Sequence, residues 1–548
     1  MAAPMMMHAK AAADEAGIWT RETFEERIRW LASQYPAVVA YVDADSRITW
    51  SDVDAMSLSL ARGLLSLGLN KDEIVFAQIP NSTIAVVIRY ALQRAGLIGA
   101  LIPMQWRELE VAQAMQRARP TACIVADGFN GADLITIYDA CRKRTGGLRE
   151  ILTLGACVRS GYVRVESLLG QRAGPSALAE PLRGFTSDEV CCLLTSSGST
   201  GLPKLVEWQG AAQLLTSRVG VEDMQLDPSD VIGVFAPLSG YAGLYASVWG
   251  LSCPVRTVLA DEFRADRLLA TIESERVTIV STVPPVLVKL IDVELAGRFD
   301  LSSLRAVRVG TAQLTPGVRE QAERIFGCPV LAAAGSMETG VFAECRPGDP
   351  GERRLSQAVG LPPTGITCRV IDDSGREVPS GQSGELIVRS ALGASGYYGD
   401  EEGSRNAWSG PGGAGWYHTG DLAMLSEDGA LTLLGRRKDI INRGGNKILP
   451  LEVEGAVMQH PAVINVAVVG VADEVMGEVP CAYVVSRWGQ ETSANELEAH
   501  LRRCGLATYK VPRHFLFVDE LPLLGNGKVD RKQLREGFRA VAHAGQAK

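Results

Sequence analysis

The sequence predicts a multidomain α/β protein with a small α+β unit at its C-terminal end, and three observations lead there. At 548 residues the chain exceeds what one hydrophobic core supports. From Arg21 onward, helical stripes alternate with short apolar runs, the rhythm of layered sheets with largely parallel strands. From about Gly365 the rhythm changes to strands and turns, and beyond Gly435 it changes again to a separate helix and strand pattern.

Residues 1–20 are expected to form a loose tail. Helices are expected over 24–34 and from Ser51, where Val53, Met56, Leu60 and Leu64 share one stripe. Strands are expected at 38–42, 48–50, 74–79, 122–126, 151–154, 277–281 and 304–309. Residues 368–371 and 384–388 flank the turn Asp372-Asp373-Ser374-Gly375, which suits a barrel-like β subdomain. Past the boundary, Pro450 stands where a first helical turn tolerates proline, residues 463–471 form an apolar strand, and Ser493 with Glu496 makes a capping box closed by Gly505. The expected division is a core over 21–435 and a smaller domain over 436–548.

Composition narrows the function. A net charge of −8 without a basic run disfavours nucleic acid. The 11 cysteines contain no CxxC and the 6 histidines are scattered, so neither a disulfide framework nor a zinc site is expected. No run approaches the ~18 apolar residues of a membrane span. The polar start does not resemble a signal peptide, so a cytoplasmic enzyme is expected.

Residues 195–204 read Thr-Ser-Ser-Gly-Ser-Thr-Gly-Leu-Pro-Lys after the apolar run 190–194. Glycines let backbone N–H groups approach a phosphate, the hydroxyls add donors, and Lys204 adds charge. A Ser/Gly linker has similar composition, but the preceding strand and closing lysine favour the phosphate. The spacing is not the Walker pattern, so ATP handling outside the P-loop fold is indicated. Four further segments resist explanation as packing: Tyr417-His418-Thr419-Gly420-Asp421, its carboxylate suited to two vicinal hydroxyls; Gly435-Arg436-Arg437-Lys438-Asp439; Asn442-Arg443-Gly444-Gly445-Asn446-Lys447; and Gly525-Asn526-Gly527-Lys528.

These segments, in this order, resemble the adenylate-forming superfamily of acyl- and aryl-CoA ligases and stand-alone adenylation enzymes. The resemblance implies a large N-terminal domain of two α/β subdomains plus a β-barrel, hinged to a small mobile C-terminal lid. It implies that Thr195, Ser196, Ser197, Gly198, Thr200, Gly201 and Lys204 hold the β- and γ-phosphates of ATP, that Asp421 binds the ribose, and that Arg436 contacts ribose and phosphate. Glu338 would sit beside Mg²⁺, Lys438 at the hinge, and Lys528 between the substrate carboxylate and the α-phosphate. Gly444, Gly445 and Lys447 would lie on the thiol-acceptor side. The acyl pocket would draw on Gly240, Tyr241, Gly310, Thr311, Ala312, Ala334, Gly335 and Ser336.

Three departures from the family pattern bear on the substrate. Ala334 lacks the ring expected to stack on adenine, and Met337 lacks a hydroxyl expected near the α-phosphate. Ser239 and Gly240 remove bulk from the acyl site, which reads either as a rearranged loop or as room for a ring-bearing or branched acid. Phe235-Ala236-Pro237 offers no aspartate for an α-amine, so a plain amino acid is not expected. The reading is ATP- and Mg²⁺-dependent activation of an aryl, alicyclic or branched acid as acyl-AMP, then transfer to CoA. The alternatives are transfer to the phosphopantetheine of a separate carrier protein, or nucleotide binding without turnover.

Overall fold

The computed structural model describes residues 8–155, 161–169, 182, 184–196, 203–294, 297–311, 314, 316–409, 415–487, 490, 492–522 and 529–546. Two eight-stranded sheets dominate it. In one, the strands Val330–Ser336, Ala306–Val309, Ile279–Thr282, Val231–Phe235, Arg256–Leu259 and Val39–Val42 run parallel, with Gly340–Glu344 and Arg47–Thr49 antiparallel at the edges. In the other, the parallel set runs from Val190–Ser196 through Ile98–Leu101, Ile74–Gln78, Ala122–Ala126 and Glu150–Leu154 to Val163–Arg164. Helices cover both faces, so strands such as Val231–Phe235 are buried along their whole length and read as continuous apolar runs. One buried cluster draws on both sheets, with Val75, Ile124 and Leu194 from the second and Ile232, Ile279 and Ala306 from the first.

The β subdomain is a five-stranded antiparallel sheet in the order Ala358–Gly360, Leu431–Arg436, Tyr417–Leu425, Gly384–Ser390, Ile366–Ile371. No pairing joins its two edge strands among the described residues. The chain leaving the three-residue edge Ala358–Gly360 instead bridges to the first sheet, Leu361 opposite Glu344. The last sheet holds Asn446–Ile448, Ile441–Arg443, Gly477–Ser486, Val463–Asp473 and His514–Phe517. The chain passes from one unit to the other through the short turn Arg437–Asp439, on which Lys438 is exposed.

Local signals explain several element ends. Thr23 with Glu26, Thr49 with Asp52, and Ser493 with Glu496 all form capping boxes, which satisfy otherwise orphaned N–H groups. Residues 8–20 correct the expectation of a loose tail. His8–Glu15 is a helix whose Ala9, Ala12 and Ala13 are buried, because this narrow stripe of small side chains lets it lie close against the sheet strand Gly384–Ser390. Glu15 pairs with Arg389 at 2.6 Å and Lys10 with Asp188 at 3.6 Å. Among the described residues no helix is long and apolar enough to cross a membrane.

Candidate active site

The site lies beyond the carboxyl ends of three strands, Val190–Ser196, Ala306–Val309 and Val330–Ser336. The first of these does not lead into a helix as a P-loop strand does. It turns back as the antiparallel strand Lys204–Gln209, with Ser196 opposite Lys204 and Thr195 opposite Leu205. Ser197, Gly198, Thr200 and Gly201 lie outside the described residues. Thr195 is 5% exposed, and its Oγ1 is buried without a hydrogen-bond partner among the described residues.

Glu338 stands under this hairpin at the turn between Val330–Ser336 and Gly340–Glu344. Ser336 Oγ fixes the turn by accepting the N–H groups of Glu338 and Thr339 at 3.2 and 3.1 Å. Glu338 is buried, and its Oε1 accepts from Ser196 Oγ at 3.5 Å and from the Tyr397 hydroxyl at 3.1 Å. Among the described residues no cation forms an ion pair with it. Lys204 Nζ lies 4.1 Å from the Tyr397 ring centroid. Burial, reinforced by Glu338, pushes the phenols of Tyr397 and Tyr417 above their ordinary range, so both stay protonated. Trp408 packs on both rings, and His8 stacks on Trp408 at 5.7 Å. Met337, in the same turn, is anchored through its carbonyl by Trp208 Nε1 at 2.8 Å.

Asp421 and Arg436 face each other across adjacent strands, and their side chains pair at 2.6 Å. Gly420 adopts φ +67°, a left-handed conformation natural to glycine. Thr419 Oγ1 donates to Leu386 O at 2.7 Å and accepts from Asp421 N at 3.0 Å, which orients the carboxylate. This pair borders a cavity of about 180 Å³ shared with Thr311, Ala334 and Gly335. Phe342, on the strand paired with that of Ala334, lines the same cavity and supplies an aromatic ring. Thr311 holds φ +77°, a strained value for a β-branched residue, with its Oγ1 buried and unpartnered among the described residues. From the smaller unit, Asp439, Leu451 and Arg531 complete the wall.

Gly240, Tyr241 and Gly310 do not line that cavity. Gly240 precedes the helix Tyr241–Ser247, and Tyr241 packs between Trp208 and Tyr245 at centroid distances of 5.5 and 5.8 Å. A side chain on Gly340 would meet the Tyr241 hydroxyl at 2.9 Å, so this ring lies against the strand that follows Glu338. Ala312 and Lys528 lie outside the described residues, whereas Arg531, three positions after Lys528, reaches the cavity. Gly444 and Gly445 form the tip between Ile441–Arg443 and Asn446–Ile448, with φ +55° and +88°, and Lys447 is exposed beside them. Sequence reasoning did not find Tyr397, Trp408, Phe342 or Arg531, and it gave Tyr417, inside a segment it singled out, no role. The run Gly396-Tyr397-Tyr398-Gly399 before an acidic helix was the available signal for the first.

Comparison with known proteins bears on this geometry. The AMP-binding enzyme family matches residues 28–398, and the AMP-binding enzyme C-terminal domain matches residues 452–528. The 2,3-dihydroxybenzoate-AMP ligase of Bacillus subtilis is 32% identical over 532 residues, covering 96% of each chain. A salicylyl-CoA synthase / salicylate adenylyltransferase of a Streptomyces species is 32% identical over 554 residues, covering 98% of each. The crystal structure of the anthranilate CoA ligase AuaEII in complex with anthranoyl-AMP has the same fold, with a TM-score of 0.87 at 24% identity over 97% of this chain and 99% of that one. With both family domains matched in order and relatives aligned along nearly its whole length, the chain belongs to the AMP-binding enzymes of the adenylate-forming superfamily and is an AMP-forming acid–thiol ligase.

Proposed function

We propose that this ligase activates an aryl, alicyclic or branched carboxylic acid with ATP and Mg²⁺ and passes the acyl group to the thiol of CoA. The observation that carries this reading is Glu338, a buried carboxylate that among the described residues is held only by hydroxyl donors, at the base of a hydroxyl-rich hairpin closed by Lys204. A single carboxylate beside phosphate oxygens is a normal Mg²⁺ environment, so the residues present fit that ion. When bound there, Mg²⁺ supplies charge neutralisation for the triphosphate. Relatives named for 2,3-dihydroxybenzoate and salicylate support an aryl acid, and the one named as a CoA synthase supports CoA as acceptor.

In this reading the hairpin grips the β- and γ-phosphates, with Thr195 Oγ1 and Lys204 as donors. Asp421 accepts from the ribose hydroxyls, and Arg436 keeps it oriented while its exposed side reaches the phosphates. Ala334, Phe342 and Thr311 form the wall against the base. The acid lies on the Gly240, Tyr241 and Gly310 side. Its carboxylate oxygen attacks the α-phosphorus, and the bond to pyrophosphate breaks with the electron pair leaving on pyrophosphate. Lys528 stabilises the charge that builds up there. A thiolate sulfur then attacks the acyl carbon, and AMP leaves. Lys438 is the hinge that withdraws Lys528 between the two steps and brings Gly444, Gly445 and Lys447 to the acceptor.

Pyrophosphate release over a panel of aryl, alicyclic and fatty acids, with and without CoA, tests the reading. Acid-dependent release with acyl-CoA formation is expected. Release without thioester in the presence of CoA would move the acceptor to a carrier protein, and no release with any acid would overturn adenylation. Lys528→Ala should lose adenylation by about 10²–10³ while thiolation of supplied acyl-adenylate persists.

A further inference from the structure

Beside Tyr241 the fold buries a guanidinium that it leaves partly unsatisfied. Arg308 stands between Val307 and Val309 in the strand Ala306–Val309 and is 2% exposed. Its Nε donates to Glu344 Oε2 at 2.8 Å, and Glu344 Oε1 accepts from the Tyr245 hydroxyl at 2.8 Å. The guanidinium lies 4.4 Å from the centroid of the Tyr245 ring, which packs on Tyr241 at 5.8 Å. Arg308 Nη1 is buried and has no acceptor among the described residues. It reaches forward along its own strand toward Gly310, where an added Cβ would stand 3.6 Å from it. Ala333 closes the other side, its carbonyl oxygen 3.8 Å from that Cβ position. A buried charged donor without an acceptor costs free energy that a suitably placed oxygen restores.

We propose that Arg308 selects the acid, its Nη1 donating to an uncharged oxygen (hydroxyl, carbonyl or ether) carried on the body of the substrate apart from the reacting carboxylate. This rests on the assignment of Gly240, Tyr241 and Gly310 to the acid. An uncharged oxygen is favoured over a second carboxylate because Glu344 already holds the same guanidinium, and a further anion beside it is repelled in a buried setting. Glu344 and Tyr245 are positioning residues that fix the fork. Lysine at 308 would present a point charge without the fork geometry.

The test is ATP–pyrophosphate exchange with benzoic and cyclohexanecarboxylic acids, their monohydroxy isomers, and the corresponding dicarboxylic acids. In the wild-type protein one hydroxy acid exceeds its unsubstituted parent in kcat/KM by about 10- to 100-fold, the worth of a hydrogen bond to a charged group, and the dicarboxylic acids do not. In Arg308→Lys and Arg308→Gln that ratio collapses toward unity. A wild-type ratio near one, a dicarboxylic acid as the best substrate, or a ratio that survives in Arg308→Lys would overturn the proposal. The wild-type ratio and Arg308→Lys keep it decidable if Arg308→Gln fails to fold. Exchange with no acid at all would count against the adenylation reading itself.

Discussion

Two glutamates six positions apart on one hairpin are both buried, and the fold treats them oppositely. Glu344 is 0% exposed and sits between the Arg308 guanidinium and the Tyr245 phenol, so its charge is neutralised within the protein. Glu338 is 8% exposed and among the described residues receives only neutral O–H donors, from Ser196 and Tyr397. A buried carboxylate without a cation is expensive unless something outside the chain completes it. The pair therefore separates two environments for the same side chain: Glu344 is paired within the protein, and Glu338 is the one the proposed function gives to a cation brought with the nucleotide.

Removing each carboxylate should expose that difference. Glu344→Ala leaves Arg308 buried without its carboxylate and should cost about 3–5 kcal/mol in urea unfolding, the range for breaking a buried pair. Glu338→Gln should instead leave stability within about 1 kcal/mol of wild type. Its cost should appear as a loss of adenylation of about 10²-fold or more and a raised Mg²⁺ requirement in pyrophosphate exchange. Tyr397→Phe removes one donor to Glu338, and a loss in kcat/KM of about 10-fold is expected, the lower range for a hydrogen bond to a charged group. Thr311→Gly relieves the strained φ at the cavity wall. It should raise stability by up to about 1 kcal/mol and weaken ATP binding, read by denaturation and nucleotide titration.

The smallest effect concerns Asp223, which pairs with Arg346 at 2.6 Å behind Glu344. Burial, with Glu344 next in importance, pushes its carboxyl up to about 7. Between the ordinary carboxylate range and that value the unfolded chain has lost this proton while the native state keeps it. Stability should therefore fall as pH rises from about 4 to about 7 and level off above. Asp223→Asn should make the urea midpoint fall less between these limits than wild type does. An equal or steeper fall in the variant would remove Asp223 from the account.

Much of the frame is legible in local sequence. The apolar runs before 195 and around 279 and 306 became strands because continuous apolar runs suit sheets covered on both faces. The capping box at Ser493 is where its residue types place it, since it depends only on a four-residue spacing. What the sequence withheld depends on distance along the chain. Tyr397 meets Glu338 from 59 positions away, and His8 stacks on Trp408 only because a helix of small residues finds a distant strand. Ala334 reads as a lost ring, yet Phe342 across the hairpin stands at the same cavity, a neighbour visible only once strand register is known. Arg308 offered a hint, a charge inside an apolar strand, but its open N–H toward Gly310 is a three-dimensional fact.

The most direct test of the central claim is Mg²⁺- and acid-dependent ATP–pyrophosphate exchange, measured for wild type, Glu338→Gln and Glu344→Gln under conditions where each is folded. The account predicts exchange by the wild type only when an accepted acid and Mg²⁺ are both present. It further predicts that Glu338→Gln loses about 10²-fold at saturating acid, whereas Glu344→Gln keeps the Mg²⁺ dependence and shifts the acid preference. Exchange by Glu338→Gln at the wild-type rate and Mg²⁺ requirement would contradict it.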